Sequence, residues 1–284
     1  MGVRSDSGSS ALSRPLLAEQ LRALGVREGG VVLVHASYRA MRPVEGGPAG
    51  VIDAIRVAVG PSGTIVMPSW GSDDETPFDP ATTPAAEDLG VTAELFRQLP
   101  GVRRSDHPFA FAAQGPLADA ITADPIPIPP HRPESPVGRV HDLDGQILLL
   151  GVGQDANTTL HLAEVLARVP YGRPKHCTIV EHGRATRIDY AENDHCGELF
   201  ALVDEWLRPR GLEREGRVGH GSARLMRSRD VVTVVRERLM ADPLAFLHPP
   251  ERGCVECDDA RASIGRSWPS EANRIAPPAT PEGS

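Results

Sequence analysis

The chain has 284 residues, of which 40% are hydrophobic and 24% are charged, an ordinary composition for a soluble protein with a substantial core. Its formal net charge of −8 argues against general nucleic-acid binding and suits a cationic ligand. Because no apolar segment is long enough to span a bilayer and the amino end lacks the hydrophobic core of a signal peptide, we expect a cytoplasmic protein with no membrane partner.

One domain is expected between two polar tails. Residues 1–13 and the proline-rich residues 267–284 are expected to be disordered, which leaves a single domain over 14–266. The sequence contains no internal repeat, and no oligomeric state is predicted.

The first elements of this domain alternate between helices and buried strands. An amphipathic helix is predicted over Arg14–Leu24, where Gly25 ends it. Short apolar runs predict buried strands, and the stretches that follow them predict helices. The predicted strands are Val31–Val34 and Thr64–Met67, and the predicted helices are Val51–Val59 and residues 91–98.

Two loops after these strands carry candidate binding groups. His35, Ala36 and Ser37 can cradle an anionic or amide-bearing cofactor, although an ordinary strand-to-helix connection is the alternative. The loop GSDDETPFDP contains Asp74. It can bind a cation, which would be an ammonium group or a hard metal ion, and a solvated loop is the alternative.

Two later segments are expected to lie near a cleft. The pair Arg103 and Arg104 can hold a phosphate together with Ser105, because guanidinium groups fork onto phosphate oxygens, and a surface loop is the alternative. The proline-dense run 123–139 is incompatible with a regular helix or a central strand. We expect it to wrap an edge of the fold, where it can act as a lid.

A strand, a glycine turn and a helix are predicted to form the central unit. Ile147–Leu150 is a continuous apolar run, typical of a strand covered on both faces of a parallel or mixed sheet. Gly151 and Gly153 are expected to supply turn conformations that a side chain would resist, and Asp155 or Asn157 can cap the next helix.

The helix of this unit carries His161 and Glu164 on one face. Both lie near the carboxyl end of the strand, where open α/β sheets bind their ligands, so the pair is a candidate for catalysis. The alternatives are a hydrogen-bonded structural histidine and a glutamate that is solvated or paired with Arg168.

The last third of the domain is predicted to contain a hairpin and two helices. The hairpin joins Cys177–Val180 to Ala185–Tyr190 and turns at His182 and Gly183. The carboxylates that follow it can be simple caps of an amphipathic helix, and a second helix is predicted over Arg229–Met240. The apolar stripe of the first helix consists of Leu199, Phe200, Val203 and Leu207.

The four cysteines are expected to be core thiols or metal ligands rather than disulfides. Cys254 and Cys257 have the spacing with which two thiolates close on one tetrahedral ion, which predicts a structural zinc site; a reduced thiol pair is the alternative. Cys196 is the first choice for a further ligand. His195 is the second choice, because it is adjacent to Cys196 in the sequence and two adjacent ligands strain the geometry. The other candidates are Cys177 and His248.

Seven segments, in order along the chain, resemble the aminoglycoside 3-N-acetyltransferases. They are VLVHASYRAMRPVEGGP, GTIVMPSW with DDETPFDP, RRSDHPFAFAAQGP, SPVGRVHDLDGQILLLGVGQDANTTLHLAE, VPYGRPKHCTIV, DYAENDHC and HPPERGCVEC. The resemblance covers roughly residues 15–265 and neither tail. Within the family, the chain is most similar to the type that acts on apramycin, gentamicin and tobramycin.

The resemblance implies an α/β fold, an α/β/α sandwich with a central mixed sheet, unlike the common GCN5-type acetyltransferases. It also implies transfer of an acetyl group from acetyl-coenzyme A to the 3-amino group of a cationic aminoglycoside, which inactivates the antibiotic. We expect direct transfer in a ternary complex, because no cysteine lies in a motif for an acyl-enzyme nucleophile. The residues implied to contact coenzyme A are His35, Ala36, Ser37, Arg39, Met67, Ser69, Arg104, Ser105, His107 and Phe109.

The resemblance implies roles for individual residues in the reaction. His161 is expected to be the general base, because imidazole is well matched to proton transfer near pH 7. Glu192 is expected to orient this imidazole, and Asp74 to bind the polycation. The family's VHSS-like segment reads VHAS here, so Ala36 lacks one hydroxyl, while backbone N–H groups near Ala36 and Ser37 are expected to meet the oxyanion.

Two other functions fit the same residues. A metal-dependent hydrolase would use His161, Glu164, His195 and the acidic loop as ligands. A non-catalytic protein would bind coenzyme A or a carbohydrate without turnover.

Overall fold

The structure of the chain, a computed structural model, describes residues 11–124 and 128–266. Residues 1–10 of the first expected tail and the whole of the second, residues 267–284, lie outside the described residues. Residues 125–127 of the proline-dense run also lie outside them. Within the described ranges, no helix combines the length and the apolarity needed to cross a bilayer.

The end of the predicted amino-terminal tail belongs to the described fold. Leu12 forms an isolated parallel bridge with Val44, so this end of the predicted tail is part of the fold. Ser13 then caps the first helix by accepting the Leu16 N–H, and Gly25 ends the helix in a left-handed conformation, as predicted.

Nine strands within the described residues form one seven-stranded sheet and a separate hairpin. The strands are β1 (Val31–Ala36), β2 (Thr64–Pro68), β3 (Arg103–Arg104), β4 (Phe111–Gln114), β5 (Gln146–Leu150), β6 (Arg173–Glu181), β7 (Arg184–Glu192), β8 (Glu213–Val218) and β9 (Gly221–Arg227). The sheet has the order β3-β4-β2-β1-β5-β9-β8, and β6 pairs only with β7. Because β2, β1 and β5 are parallel and their outer neighbours β4 and β9 are antiparallel, the sheet is mixed, as expected.

Helices cover both faces of the sheet. They are α1 (Arg14–Leu24), α2 (Tyr38–Met41), α3 (Gly47–Val59), α4 (Gly90–Arg97), α5 (Ala118–Ile121), α6 (Pro136–Asp142), α7 (Thr159–Ala167), α8 (Leu202–Leu207), α9 (Ser228–Ala241) and α10 (Val255–Ala262). Short 3-10 helices lie at Glu87–Leu89, Gln154–Ala156, Glu198–Ala201, Arg208–Arg210 and Pro250–Arg252. The predicted helices and strands are therefore present, with ends that differ by a few residues.

The two faces of the sheet bury two separate hydrophobic cores. Ile147 and Leu149 of β5 join the core that contains α6, α7, α8 and α9. Leu148 and Leu150 join the opposite core, which contains α1, α3 and α4. This alternation follows from the two-residue period of a strand, and it confirms both the strand buried on two faces and the expected α/β/α sandwich.

The proline-dense run contains the start of a helix, contrary to the prediction. Proline is tolerated in the first turn of a helix, where its missing N–H would have no partner, and Pro136 begins α6 in this way. The Ser135 hydroxyl accepts the Gly138 N–H at 3.3 Å and completes the cap.

Other elements have no clear apolar pattern and are not predicted. These include α2, α5, β3, β4, β8, β9 and α10. The hairpin turn at His182 and Gly183 is confirmed, although both strands are longer than the apolar runs. Phe200, Val203 and Leu207 are buried as expected, whereas Leu199 is only partly buried.

The glycine turn after β5 depends on one of its two glycines. Gly151 has φ +67°, and an added Cβ would lie 2.5 Å from the Ala40 Cβ. Gly153, in contrast, has φ −94°, which other residues adopt readily, so the prediction is wrong in that respect.

Gly151→Ala should lower the free energy of unfolding by about 2–5 kcal/mol, because it combines a left-handed backbone with an overpacked contact. Gly211→Ala is the matched control, since Gly211 has φ +65° and no atom lies within 4 Å of an added Cβ. The control should lose only about 1–2 kcal/mol in urea unfolding. Equal losses in the two variants would contradict the role of the Ala40 contact.

Candidate active site

A cleft of about 640 Å³ opens where the three parallel strands end. Parallel strands present their carboxyl ends at the same edge of a sheet, and the loops after β1, β2 and β5 therefore line one cavity. The hairpin β6–β7 contributes another wall. The cleft is lined by His35, Ala36, Ser37, Met67, Trp70, Asp74, Asp88, Phe109, His131, Asp155, Asn157, Thr158, His161, Lys175, Glu192 and Asp194, among others.

Glu164 lies completely buried beneath this cleft. Its Oε1 accepts the hydroxyl of Tyr171 at 2.5 Å and lies 3.0 Å from His195 Nε2, and its Oε2 lies 2.8 Å from His161 Nδ1. A buried carboxylate is tolerated only when donors compensate for lost water, and here three side chains do so. The alternatives of a solvated Glu164 or a Glu164–Arg168 pair are therefore wrong.

These hydrogen bonds determine the tautomers of both histidines. His195 Nδ1 accepts the Gly197 N–H at 3.1 Å, so its Nε2 carries the proton that is donated to Glu164. His161 Nδ1 likewise donates to the carboxylate, which leaves its Nε2 as the lone-pair nitrogen when the ring is neutral. The His161 side chain is 25% exposed and lines the cleft, so a substrate can reach this ring.

The pKa of His161 is raised above its ordinary value of 6.5, in contrast to that of His131. Burial alone would lower it, but the hydrogen bond and the charge of Glu164 outweigh that effect. Burial would raise the pKa of Glu164, yet the bonds from His161 and His195 hold it at about 2. The carboxylate is thus charged and makes the imidazole a stronger base.

Glu192 does not contact His161 directly, contrary to the role predicted for it. Its Oε1 lies 3.4 Å from His131 Nδ1, and it acts on His161 only through its charge. The His131 ring lies 5.1 Å from the His161 ring, between centroids, and burial lowers the pKa of His131. Glu164, rather than Glu192, therefore orients the His161 ring. It lies three residues after His161 on α7, so its carboxylate reaches the ring.

Five of the ten residues expected to contact coenzyme A line the cleft. They are His35, Ala36, Ser37, Met67 and Phe109. The Ser37 N–H is not available to an oxyanion, since it donates to the Leu150 carbonyl at 2.8 Å. Burial lowers the pKa of His35 to about 3, so this ring is neutral in the cleft wall.

The other five residues lie outside the cleft lining. Arg104 donates to the backbone carbonyls of Ser69, Pro80 and Thr83, and the buried Ser105 hydroxyl bonds the backbone of Phe111. Both groups thus stabilise loops and are not free to hold a phosphate, contrary to the prediction. Ser69 and His107 are buried, whereas Arg39 is exposed.

The cleft wall is predominantly acidic. Asp74, Asp88, Asp155, Glu192 and Asp194 line it, and Lys175 is the single basic Lys or Arg side chain among the described lining residues. Lys175 pairs with Asp194 at 2.8 Å, so most of the carboxylate charge remains unneutralised. Such a wall favours a cationic ligand, as the net charge also predicts.

Three of the four predicted metal ligands meet in one cluster, with one correction. Cys196, Cys254 and Cys257 come together, but the fourth member of the cluster is His248 rather than His195. Both ring nitrogens of His195 are already hydrogen-bonded, to Gly197 and to Glu164. All four cysteines of the chain are free of disulfides.

The ligand set of a metal-dependent hydrolase is not supported by this geometry. His161 and His195 each direct a nitrogen at the same carboxylate, that of Glu164, and do not converge on an open position. Among the described residues, the cysteine cluster alone brings three or more potential ligand atoms within 4.8 Å of one another.

Sequence reasoning missed two residues that build the site, Tyr171 and His131, and it did not predict the role of His195. Tyr171 and the contact of His195 with Glu164 depend on tertiary packing, and no local spacing indicates them. His131 belongs to the proline-dense run, where a histidine beside conformationally restricted residues is a weak signal. Its left-handed backbone, φ +63°, brings the ring against His161.

The fold that holds the acidic cleft matches that of a known enzyme family. The chain matches the protein family described as aminoglycoside 3-N-acetyltransferase over residues 33–240. It is 62% identical over 237 residues to aminoglycoside N(3)-acetyltransferase IV of Salmonella, covering 84% of this chain and 91% of that protein.

Solved structures give the same result. A histidine-to-alanine mutant of aminoglycoside acetyltransferase AAC(3)-IVa, in complex with gentamicin, superposes with a TM-score of 0.90 at 59% identity and covers 91% of this chain and 100% of that one. The binary complex of AAC-IIIb with coenzyme A has a TM-score of 0.74 at 27% identity, covering 82% of this chain and 97% of that one. The chain therefore belongs to the aminoglycoside 3-N-acetyltransferase family.

Glu164→Gln should lower the pKa of His161 from above 6.5 to below it, because burial remains while the carboxylate charge is lost. Titration by NMR of the His161 ring measures this change. Asp194→Asn is the control, since Asp194 acts on His161 only at a distance. In this variant the pKa of His161 should stay above 6.5. An unchanged pKa in Glu164→Gln would contradict the assignment of Glu164.

The same pair should contribute a pH-dependent part of stability. A raised folded-state pKa means that the contribution of His161 is complete below pH 6.5 and is lost as the pH rises through the folded-state pKa. Unfolding free energies of the wild type and of His161→Asn, measured from pH 6 to pH 9, should therefore converge as the pH increases. A constant difference would contradict this linkage.

Proposed function

We propose that the protein transfers the acetyl group of acetyl-coenzyme A to the 3-amino group of an aminoglycoside, with His161 as general base. The observation that carries this proposal is the hydrogen bond from His161 Nδ1 to the buried Glu164, at the bottom of an acidic cleft. The related structures bound to gentamicin and to coenzyme A support the two substrates.

The proposed proton path uses the free nitrogen of His161. An amine attacks a thioester only when it is neutral, so a bound ammonium group first loses one proton to solvent, and Nε2 takes the second proton from the nitrogen as it attacks. The new N–C bond forms as the thioester carbonyl becomes an oxyanion, and the C–S bond breaks when that oxyanion collapses. The protonated His161 then returns its proton to the coenzyme A sulfur, so the enzyme ends unchanged.

Glu164 acts as a positioning residue in this path. Its negative charge stabilises the imidazolium that forms when His161 takes the proton, and its hydrogen bond fixes the tautomer. Because the carboxylate is held by Tyr171 and His195 as well, the ring has one orientation toward the cleft. Glu192 and Asp74 bind ammonium groups of the drug, and positioned attack can supply several kcal/mol of the rate enhancement.

Acetyl transfer is direct in this mechanism. Cys177 is buried, does not line the cleft, and burial raises the pKa of its thiol to about 12. A thiol of that kind is a poor nucleophile near neutral pH. Cys196, Cys254 and Cys257 are also absent from the cleft lining.

The direct test is incubation of the purified protein with acetyl-coenzyme A and gentamicin, and then with apramycin. Free thiol should be released in proportion to drug that gains a single acetyl group on the 3-amine, as determined by mass spectrometry and NMR. Thiol release without acetylated drug, or no release with any aminoglycoside, would overturn the proposal.

His161→Asn should lower kcat/KM by about 100- to 10,000-fold, the usual contribution of a general base. The residual rate should increase with pH, because the fraction of neutral amine increases. His182→Asn is the matched control, since His182 lies at the exposed hairpin turn with φ +51°, a conformation that asparagine tolerates. Equal activity of the two variants would exclude His161 as the base.

Asp74→Asn should raise the KM for the aminoglycoside about two- to fivefold, because an exposed charge pair contributes up to about 1 kcal/mol. The KM for acetyl-coenzyme A should not change, and the effect should decrease with added salt. Asp189→Asn is the control, because this exposed carboxylate pairs with Arg187 and does not line the cleft. A change confined to the acetyl-coenzyme A KM would contradict the role of Asp74.

A further inference from the structure

We propose that Cys196, His248, Cys254 and Cys257 bind one zinc ion, which joins the carboxyl-terminal segments of the domain to the loop that supports Glu164. The four residues come from three parts of the chain. Cys196 follows β7, His248 follows α9, and the remaining two cysteines lie at the start of α10. All four ligand atoms lie within 4.8 Å of one another.

The distances within the cluster match a tetrahedral zinc site. With Zn–S bonds of about 2.3 Å and a Zn–N bond of about 2.05 Å, tetrahedral angles require S···S separations of about 3.8 Å and S···N separations of about 3.6 Å. The Cys196 and Cys257 sulfurs are 3.6 Å apart, and they lie 3.4 and 3.6 Å from His248 Nδ1. A disulfide would need about 2.05 Å between the sulfurs.

The donor set selects the kind of metal. Three thiolates and one imidazole favour zinc, whereas magnesium and calcium prefer oxygen ligands. Cys254 precedes α10 and Cys257 lies in its first turn, so both sulfurs lie near the positive end of the helix dipole, which favours thiolates.

His248 has the support expected of a metal ligand. Its Nδ1 is directed at the two sulfurs, while its Nε2 lies 3.4 Å from the carboxylate of Glu198. A carboxylate behind a histidine ligand fixes the tautomer and raises the basicity of the coordinating nitrogen. The His248 carbonyl also accepts a hydrogen bond from Arg261 of α10 at 2.7 Å.

The proposed zinc site is directly linked to the catalytic pair through one peptide bond. Cys196 follows His195, and His195 donates to Glu164, which in turn holds His161. The Gly197 N–H donates to His195 Nδ1, so this backbone is fixed on both sides of Cys196. Zinc at Cys196 would therefore hold the loop in the conformation that presents His195 to Glu164.

The first test is metal analysis of the full-length protein purified from zinc-supplemented cells. We expect one zinc per chain, and the protein refolded with Co²⁺ should show the visible absorption of a tetrahedral cobalt–thiolate centre. Neither measurement depends on turnover, so failure of the zinc proposal is distinguishable from failure of the proposed acetyl transfer.

Cys254→Ser should lose the metal and lower the thermal unfolding midpoint, and amide exchange at Gly197 should become faster. Glu256→Gln is the matched control, because Glu256 lies between Cys254 and Cys257 but is exposed and outside the ligand set. The control should keep one zinc, the wild-type midpoint and a protected Gly197 amide.

Three outcomes would overturn the proposal. They are a wild-type protein that binds neither zinc nor cobalt, a disulfide among these cysteines in the active protein, and a tetrahedral cobalt spectrum that persists in Cys254→Ser. If Cys254→Ser does not fold, the metal content and cobalt spectrum of the wild type still decide the question.

Discussion

The site depends on a single buried charge, the carboxylate of Glu164. Removing a carboxylate from water is costly, and the fold compensates with donors from three places: His161 on the same helix, Tyr171 just after it, and His195 on the loop after β7. Since each donor must be in place for the charge to be tolerated, the helix, the hairpin and the loop are held in one arrangement. The His161 ring, which faces the cleft, is therefore held in one orientation.

The same carboxylate gives one histidine of the cleft a different acidity from its neighbours. Burial lowers the pKa of His35 to about 3 and that of His131 below its ordinary value, so both rings are neutral wall residues. His161 is partly exposed to the cleft, and the adjacent charge of Glu164 raises its pKa despite the burial of most of its ring. A basic imidazole among neutral ones, beside an acidic wall, is suited to removing a proton from an attacking amine.

The sequence predicted the elements that have strong local patterns. The apolar run of β5, the glycine turn at Gly151 and the His161–Glu164 spacing on α7 all depend on neighbours in the chain, and the structure contains all three. The pairing of Glu164 with His195, the position of His131 and the choice of His248 over His195 in the cysteine cluster depend on tertiary contacts. Local patterns carry no information on such contacts, and charged edge strands such as β8 carry no apolar period either.

The central claim is that Glu164 acts on catalysis only through His161. A double-mutant cycle on kcat/KM for acetyl transfer tests it, with Glu164→Gln, His161→Asn and the double variant compared at one pH. We predict that Glu164→Gln lowers kcat/KM at least tenfold in the wild-type background and has almost no further effect once His161 is replaced. The same fold loss in both backgrounds would contradict the claim, because Glu164 would then act independently of His161.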